Sequence, residues 1–208
     1  MGVIGPVVSH RDQKQGKSEM TRGRLIEATC DEISEAGSFS AERVSARAGV
    51  SVATFYAHLP TKEAALAAAF SNAMDEMLSM VRRELRIERL LEAELSILAG
   101  SFVRAALEFF SARSLIFRHA LARLPESPAL RRVYRSHESE CLACYGHFIE
   151  LGQSAGKIRP GEAEVLARAL LVLSQGLNNP RTLGMVGDDP LIEELVGIVV
   201  SLLAPREI

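Results

Sequence analysis

The stretch FSAERVSARAGVSVATFYAHLPTKEAAL, residues 39–66, decides the fold because it predicts two short helices, the turn between them and the start of a third helix. Ser40 and Ser51 stand where N-cap residues are expected, one before each short helix. Gly49 falls where the first helix ends, a position that favours a residue tolerating positive φ. Pro60 is expected to end the second helix. Two short helices joined by a tight turn are typical of a helix-turn-helix, whose second helix enters the major groove of DNA.

The side chains of this stretch divide into an inner and an outer set. Val44 and Ala48 are four residues apart and share one face of the first short helix. A second helix of about seven residues is not stable alone, so we expect it to persist because Phe55 and Leu59 pack on its neighbours. The residues left largely outside are Val52, Ala53, Thr54, Tyr56 and His58.

The order of these residues resembles the DNA-binding domain of the TetR family of transcription factors. The family pattern is close to A-G-V-S-x-x-T-[LF]-Y-x-[HY]-[FL]-x-[ST]-K-E-x-L. The sequence follows it from Ala48 to Glu63, with Leu66 one place later than usual. The remainder of the chain is similar to the family only in length and helical pattern. The resemblance implies an all-α fold of about nine helices, with an N-terminal three-helix DNA-binding domain and a C-terminal helical domain for ligand binding and dimerisation.

The pattern along the chain predicts three segments. Residues 1–17 are polar in their second half and are interpreted as a flexible N-terminal arm. Residues 18–62 form the helix-turn-helix DNA-binding domain, and residues 63–208 form the ligand-binding and dimerisation domain. Outside the two short helices, helical spacing and the positions of Gly and Pro predict helices over 18–36, 61–85, 87–110, 114–124, 128–152, 161–177 and 191–203.

Composition supports a helical, soluble chain. Of its 208 residues 48% are apolar, Trp is absent, and Ala and Leu are abundant, which favours helices over strands. A net charge of −2 argues against a generic polyanion binder. Three cysteines do not form a disulfide framework. No apolar run reaches the ~18–20 residues that a bilayer requires, and the N-terminus is a poor signal peptide. We therefore expect a cytoplasmic protein without a membrane partner.

The resemblance implies which residues contact DNA. Val52 and Ala53 occupy base-facing positions, where many relatives carry Lys or Arg followed by Gly. Apolar contact with thymine methyl groups is open to them, so DNA shape, or the region carrying Arg22 and Arg24, is expected to supply more of the specificity. The full expected set is Ser40, Arg43, Ser51, Val52, Ala53, Thr54, Tyr56, His58 and Lys62.

Affinity for DNA requires two copies of the motif. One helix-turn-helix contacts only a few base pairs, which predicts a twofold dimer on a near-palindromic double-stranded operator. The eighth and ninth predicted helices, 161–177 and 191–203, are apolar over more than one stripe. One side can face the domain and the other a partner chain, although a fully buried core explains the same pattern.

The predicted middle helices carry the candidate effector residues. In the family these elements enclose a cavity, and an apolar cavity suits a hydrophobic small molecule. Each candidate is equally explained as ordinary core. The candidates are Phe102, Phe109, Phe117, His119, Cys144, Tyr145 and Phe148.

An alternative is a regulator that senses a metal or a thiol. His137, Cys141, Cys144 and His147 lie near one stripe of a predicted helix, and Cys and His are soft metal ligands. One straight helix cannot surround an ion, so a further ligand such as His119 would be needed. Buried cysteines more often act as small apolar residues.

No motif for catalysis occurs in the sequence, so an enzyme is not expected, nor is a cofactor. The leading prediction is a homodimeric, ligand-responsive regulator, a repressor that leaves its operator when a hydrophobic small molecule binds.

Overall fold

The computed structural model of the chain describes residues 10–182 and 189–205, with side chains from residue 15 onward. Within these residues it contains nine α-helices and no strand, which confirms the predicted all-α class. The helices are α1 (His10–Ala36), α2 (Ala41–Ala48), α3 (Val52–His58), α4 (Lys62–Glu84), α5 (Ile87–Glu92), α6 (Leu95–Arg123), α7 (Pro128–Ser154), α8 (Ala163–Gly176) and α9 (Pro190–Leu203).

The chain divides into two compact units, the first ending at Ala69 and the second beginning at Phe70. The core of the first unit is built from α1, α2, α3 and the start of α4. Phe55 is the one aromatic side chain among the buried members of this cluster, and partly buried Phe39 packs against it. The other buried members are aliphatic: Leu25, Ala28, Ala41, Val44, Ala48, Leu59 and Ala65. Small residues around one ring allow four helical segments to approach closely.

Helix α1 is longer at its N-terminus than predicted. Residues 10–17, predicted to belong to a flexible arm, are helical, and residues 1–9 of that arm lie outside the described residues. The packing of Leu25 and Ile33 nucleates the helix, after which each further turn adds hydrogen bonds at low cost. Lys, Gln and Arg, which are frequent in this turn, are good helix formers.

The second unit corrects the predicted break in its first long helices. The sequence predicted helices over 87–110 and 114–124, whereas α5 ends at Glu92 and α6 continues unbroken to Arg123. Residues 111–114 contain no Gly or Pro, and Phe110, Ile116 and Phe117 on either side of them are buried in the core. The break lies instead where residues 93 and 94 adopt extended conformations, without any Gly or Pro to signal it.

Helix α6 is the central helix of the second unit. It packs along α9 and buries a continuous face that includes Phe102, Phe110 and Phe117. By length and composition it could also span a membrane, and it is the one helix among the described residues that passes this test. Core helices of soluble proteins pass the same test, and the buried face of α6 is that of a core helix.

In the second unit, α7 and α9 begin at side-chain caps. Ser127 Oγ accepts the N–H of Leu130 at 3.2 Å, and Pro128 occupies the first turn of α7, as the sequence predicted. Asp189 Oδ1 accepts the N–H of Leu191 at 2.9 Å and begins α9. Helix α8 packs against both α7 and α9.

Candidate DNA-binding surface and effector cavity

The helix-turn-helix has the local structure that its sequence predicts. Ser40 Oγ accepts the N–H of Arg43 at 3.3 Å, and Ser51 Oγ accepts the N–H of Thr54 at 3.1 Å, so each short helix has a side-chain N-cap. Gly49 ends α2 with φ of 66°, in the left-handed region. The two caps and the left-handed glycine together turn the chain sharply between α2 and α3.

Helix α3 is held by a single aromatic side chain. Phe55 is fully buried, whereas the next residue, Tyr56, is 44% exposed and meets the Phe55 ring edge-on at a centroid distance of 5.1 Å. At its N-terminal end Val52 is 36% exposed and Ala53 is also exposed. The outer side of α3 is therefore free to meet a ligand.

The other predicted DNA-contacting residues surround this helix. Ser51 and Lys62 are exposed, and Ser40, Thr54 and His58 are half-buried. Arg43 is half-exposed, but its guanidinium already forms an ion pair with Glu32 of α1. A phosphate would therefore have to share or replace that carboxylate at Arg43.

Arg47 has a structural role that the sequence analysis did not identify. Its Nε lies 2.9 Å from the buried carboxylate of Glu32, and its guanidinium also pairs with Glu35. The hydrogen bond from Arg47 lowers the pKa of Glu35, and both carboxylates raise the pKa of Arg47. Glu32 and Glu35 are three residues apart on α1, so their carboxylates lie on the same face of that helix. This spacing, together with the arginines of α2, was the signal from which the ion pairs could have been predicted.

A cavity of about 120 Å³ lies within the second unit, between α4, α6, α7 and α8. Its apolar wall consists mainly of Met74, Met77, Phe110, Phe117, Leu121 and Leu171. A partly open, mostly apolar cavity with a few polar groups is the usual form of a small-molecule site.

Three polar side chains of this cavity form one hydrogen-bonded cluster. Gln175 Nε2 donates to the Tyr134 hydroxyl at 2.9 Å and to Glu138 Oε1 at 3.2 Å. Burial raises the pKa of Tyr134, and the adjacent Glu138 carboxylate raises it further by its charge and by hydrogen bonding. Tyr134 therefore keeps its proton and Glu138 supplies the negative charge of the cluster.

Two further groups of the cavity are buried and uncharged at neutral pH. The Tyr145 hydroxyl donates to Ser174 Oγ at 3.1 Å, and burial raises the pKa of Tyr145. Burial also raises the pKa of the Cys141 thiol to about 12. Cys141 is thus a small apolar wall residue and not a thiolate.

Of the predicted effector residues, Phe117 and Tyr145 line the cavity. Phe102 lines a separate small pocket beside α9, and Cys144 and Phe148 line a surface depression near Arg82. Phe109 contacts the Phe117 ring at a centroid distance of 5.9 Å but does not line the cavity. His119 does not line the cavity either.

Helical phase explains which candidates reach the cavity. On α7 the lining residues Tyr134, Glu138, Cys141 and Tyr145 follow the spacing i, i+4, i+7, i+11 and share one stripe. Cys144 lies off that stripe. The sequence analysis chose aromatic residues by type, and the polar cluster and the methionines of α4 were missed because their partners come from distant helices.

The metal-sensing alternative is not supported. No group of three His, Cys, Asp or Glu side chains among the described residues could hold a metal ion. His137 is buried, and its ring nitrogens lie 2.8 Å from the Val133 carbonyl oxygen and 2.9 Å from Asp75 Oδ1. Cys141 and Cys144 line different pockets.

An exposed apolar stripe runs along each of the last two helices. On α8 it includes Val165 and Val172, the latter 66% exposed, and on α9 it includes Leu191 and Ile198, the latter 47% exposed. The opposite faces of both helices are buried in the second unit, so these helices are apolar on two sides.

No protein-family model and no curated protein sequence matches the chain. Solved structures are similar to it over nearly its whole length. A TetR transcription regulator from Haloarcula marismortui is 18% identical, with a TM-score of 0.70 over 88% of this chain and 96% of its own. GusR of Salmonella enterica is 21% identical, with a TM-score of 0.71 over 88% and 95%. The flavonoid-responsive regulator FrrA is 23% identical, with a TM-score of 0.60 over 91% and 100%.

These likenesses define the class of fold. The chain has the fold of TetR-family transcriptional regulators, and the resemblance that its helix-turn-helix sequence indicated is confirmed in the structure.

Proposed function

We propose that this chain is a TetR-family transcriptional regulator that acts as a homodimeric repressor in the cytoplasm. In this proposal it binds a near-palindromic operator and leaves it when a small, largely hydrophobic molecule enters the cavity of the second unit. The observation that carries the proposal is α3, a short helix fixed by buried Phe55 that exposes Val52, Ala53 and Tyr56. A short, exposed and rigidly supported helix of this kind fits the major groove of DNA.

Base and phosphate contacts are divided along α3 in this proposal. Val52 and Ala53 meet base edges through apolar contact, while Tyr56, His58 and Lys62 meet phosphates. Exposed Arg22 and Arg24 on α1 add positive charge. The residues of the two caps and of α2, which are Ser40, Arg43, Ser51 and Thr54, complete the proposed contact set.

The proposed homodimer uses the exposed stripes of α8 and α9. Each helix already buries one face within its own unit. The second apolar face would be left exposed to water unless another surface covers it. A second copy of the chain satisfies this need symmetrically and brings two α3 helices to one operator.

Helix α4 is the proposed connection between effector and DNA. Its residues 62–69 belong to the first unit, and its Met74 and Met77 line the cavity in the second. Asp75 pairs with His137 of α7 at 2.9 Å, and Glu76 pairs with Arg113 of α6 at 2.8 Å. We propose that an effector shifts α4 and alters the spacing of the two α3 helices, so that both half-sites are no longer contacted together. The proposed division is a DNA-binding domain ending near residue 62 and an effector and dimerisation domain after it.

The test is selection of binding sites from random duplex DNA, followed by mobility shift at fixed salt. We expect a near-palindromic site, and we expect the region next to the protein's own gene to contain one. Lys62→Ala should weaken binding about equally for all sequences and lower the salt dependence by about one phosphate contact. Lys157→Ala, at an exposed lysine of the second unit, is the matched control. If no duplex is preferred over unrelated DNA, the proposal is rejected.

A further inference from the structure

The cavity of the second unit contains one charged side chain, that of Glu138, among its described lining residues. The rest of its wall is apolar, aromatic or neutral and polar. The Glu138 carboxylate accepts hydrogen bonds from neutral partners, as described above, and no arginine, lysine or histidine of the described part of the chain forms an ion pair with it. Glu140 on the same helix differs, since it pairs with Arg82.

A carboxylate beside an apolar cavity without a counter-charge is costly to bury further. Entry of a neutral apolar molecule would remove water from Glu138 without replacing it, and entry of an anion would add repulsion. A cation would restore the lost solvation by direct charge pairing. The cavity also contains four aromatic rings, from Phe110, Phe117, Tyr134 and Tyr145, whose faces favour a nearby cation.

We infer that the effector is an organic ammonium ion with an apolar body about the size of one aromatic ring, bound with its ammonium group at Glu138. That the ligand acts as an effector rests on the proposed function, whereas its binding to the cavity does not depend on DNA. The size follows from the cavity volume of about 120 Å³, because a cavity of roughly 150 Å³ holds one benzene molecule. Met74 and Met77 are flexible side chains that can adapt the wall to branches of the body.

The test compares three probes of similar shape by isothermal titration calorimetry on the full chain: 2-phenylethylamine, 2-phenylethanol and phenylacetate. At neutral pH they carry one positive charge, no charge and one negative charge. We expect the amine to bind about tenfold more tightly than the alcohol, and phenylacetate not to bind measurably.

Two variants locate the charge. Glu138→Gln keeps a hydrogen-bond partner for Gln175. It should weaken binding of the amine about tenfold or more and leave the affinity for the alcohol unchanged. Glu140→Gln, on the same helix but outside the cavity, should change neither. Unchanged melting temperatures in the absence of a probe would show that both variants are folded. If Glu138→Gln proved unstable, Tyr134→Phe would take its place, with a smaller expected loss of affinity for the amine.

The inference is overturned if the alcohol or the carboxylate binds as tightly as the amine, if none of the three binds, or if Glu138→Gln leaves the amine unaffected. A chain that binds the amine but selects no operator would reject the proposed function and leave this inference standing. A chain that selects an operator but does not respond to amines would reject this inference and leave the proposed function standing.

Discussion

The first unit and the second unit place their candidate functional residues differently. In the first, the candidate residues lie outside, on a seven-residue helix that one buried ring supports. In the second, they lie inside, where four helices leave a cavity of about 120 Å³. An outward site depends on local geometry that caps and turns can specify, whereas an inward site depends on how helices distant in sequence meet. The four predictions that follow test this contrast, beginning with the largest expected effect.

Phe55→Ala should have the largest effect, because it removes the one aromatic side chain among the buried members of the core of the first unit. We expect a loss of about 3–5 kcal/mol in the free energy of unfolding of that unit, measured by denaturant unfolding together with hydrogen exchange of the α2 and α3 amides. Tyr56→Ala, one residue later and exposed, is the control and should cost less than about 1 kcal/mol. Equal losses in the two variants would show that α3 is not supported as described.

Ile198→Glu should have the next effect by placing a charge in the proposed dimer face of α9. We expect the dimer dissociation constant to rise at least about 100-fold, equivalent to about 2.7 kcal/mol, in sedimentation equilibrium. Leu91→Glu is the matched control, since Leu91 is 52% exposed on α5, a helix with few contacts to α8 or α9. A wild-type chain that sediments as a monomer would contradict the proposed dimer at once.

Gly49→Ala should have a moderate effect confined to the first unit. A Cβ at this position meets no neighbour, but φ of 66° is unfavourable for alanine, so we expect a loss of about 1–2 kcal/mol in thermal unfolding. The same substitution at Gly23, inside α1 with open space around it, should instead stabilise by up to about 1 kcal/mol. If both glycines respond with the same sign, the turn between α2 and α3 is not held by the left-handed residue.

Cys141→Ser with Cys144→Ser should have the smallest effect on regulation. Burial raises the pKa of Cys141 to about 12, so its thiol stays protonated at neutral pH. The thiol loses its proton to form a thiolate only as the pH approaches that value. We expect the double variant and the wild type to bind the selected operator equally, within about twofold, with and without zinc or a mild oxidant. A zinc- or oxidant-dependent change in the wild type that the variant loses would restore the sensing alternative.

The sequence predicted the helix-turn-helix of the first unit in detail. Ser40, Gly49 and Ser51 each act on residues within four positions, and Phe55 beside Tyr56 divides α3 into an inner and an outer face. The break predicted at 111–114 is absent and the break at 93–94 was not predicted, and neither segment contains a Gly or Pro that would mark a helix end. In such segments the helix ends where packing ends, and packing is a property of the whole unit.

Local chemistry was therefore enough to specify the all-α class, the helix-turn-helix and the exposed residues of α3, because caps, turns and short-range spacing act between neighbours in the chain. The cavity required the folded chain, because Glu138, Gln175 and Met77 come from three helices whose faces meet only when the helices pack. The same packing places Asp75 within hydrogen-bond distance of His137, and it leaves Cys141 and Cys144, which are neighbours on α7, lining different pockets. Contacts between residues far apart along the chain follow from the mutual rotation of helices, and no short pattern of residues encodes that rotation.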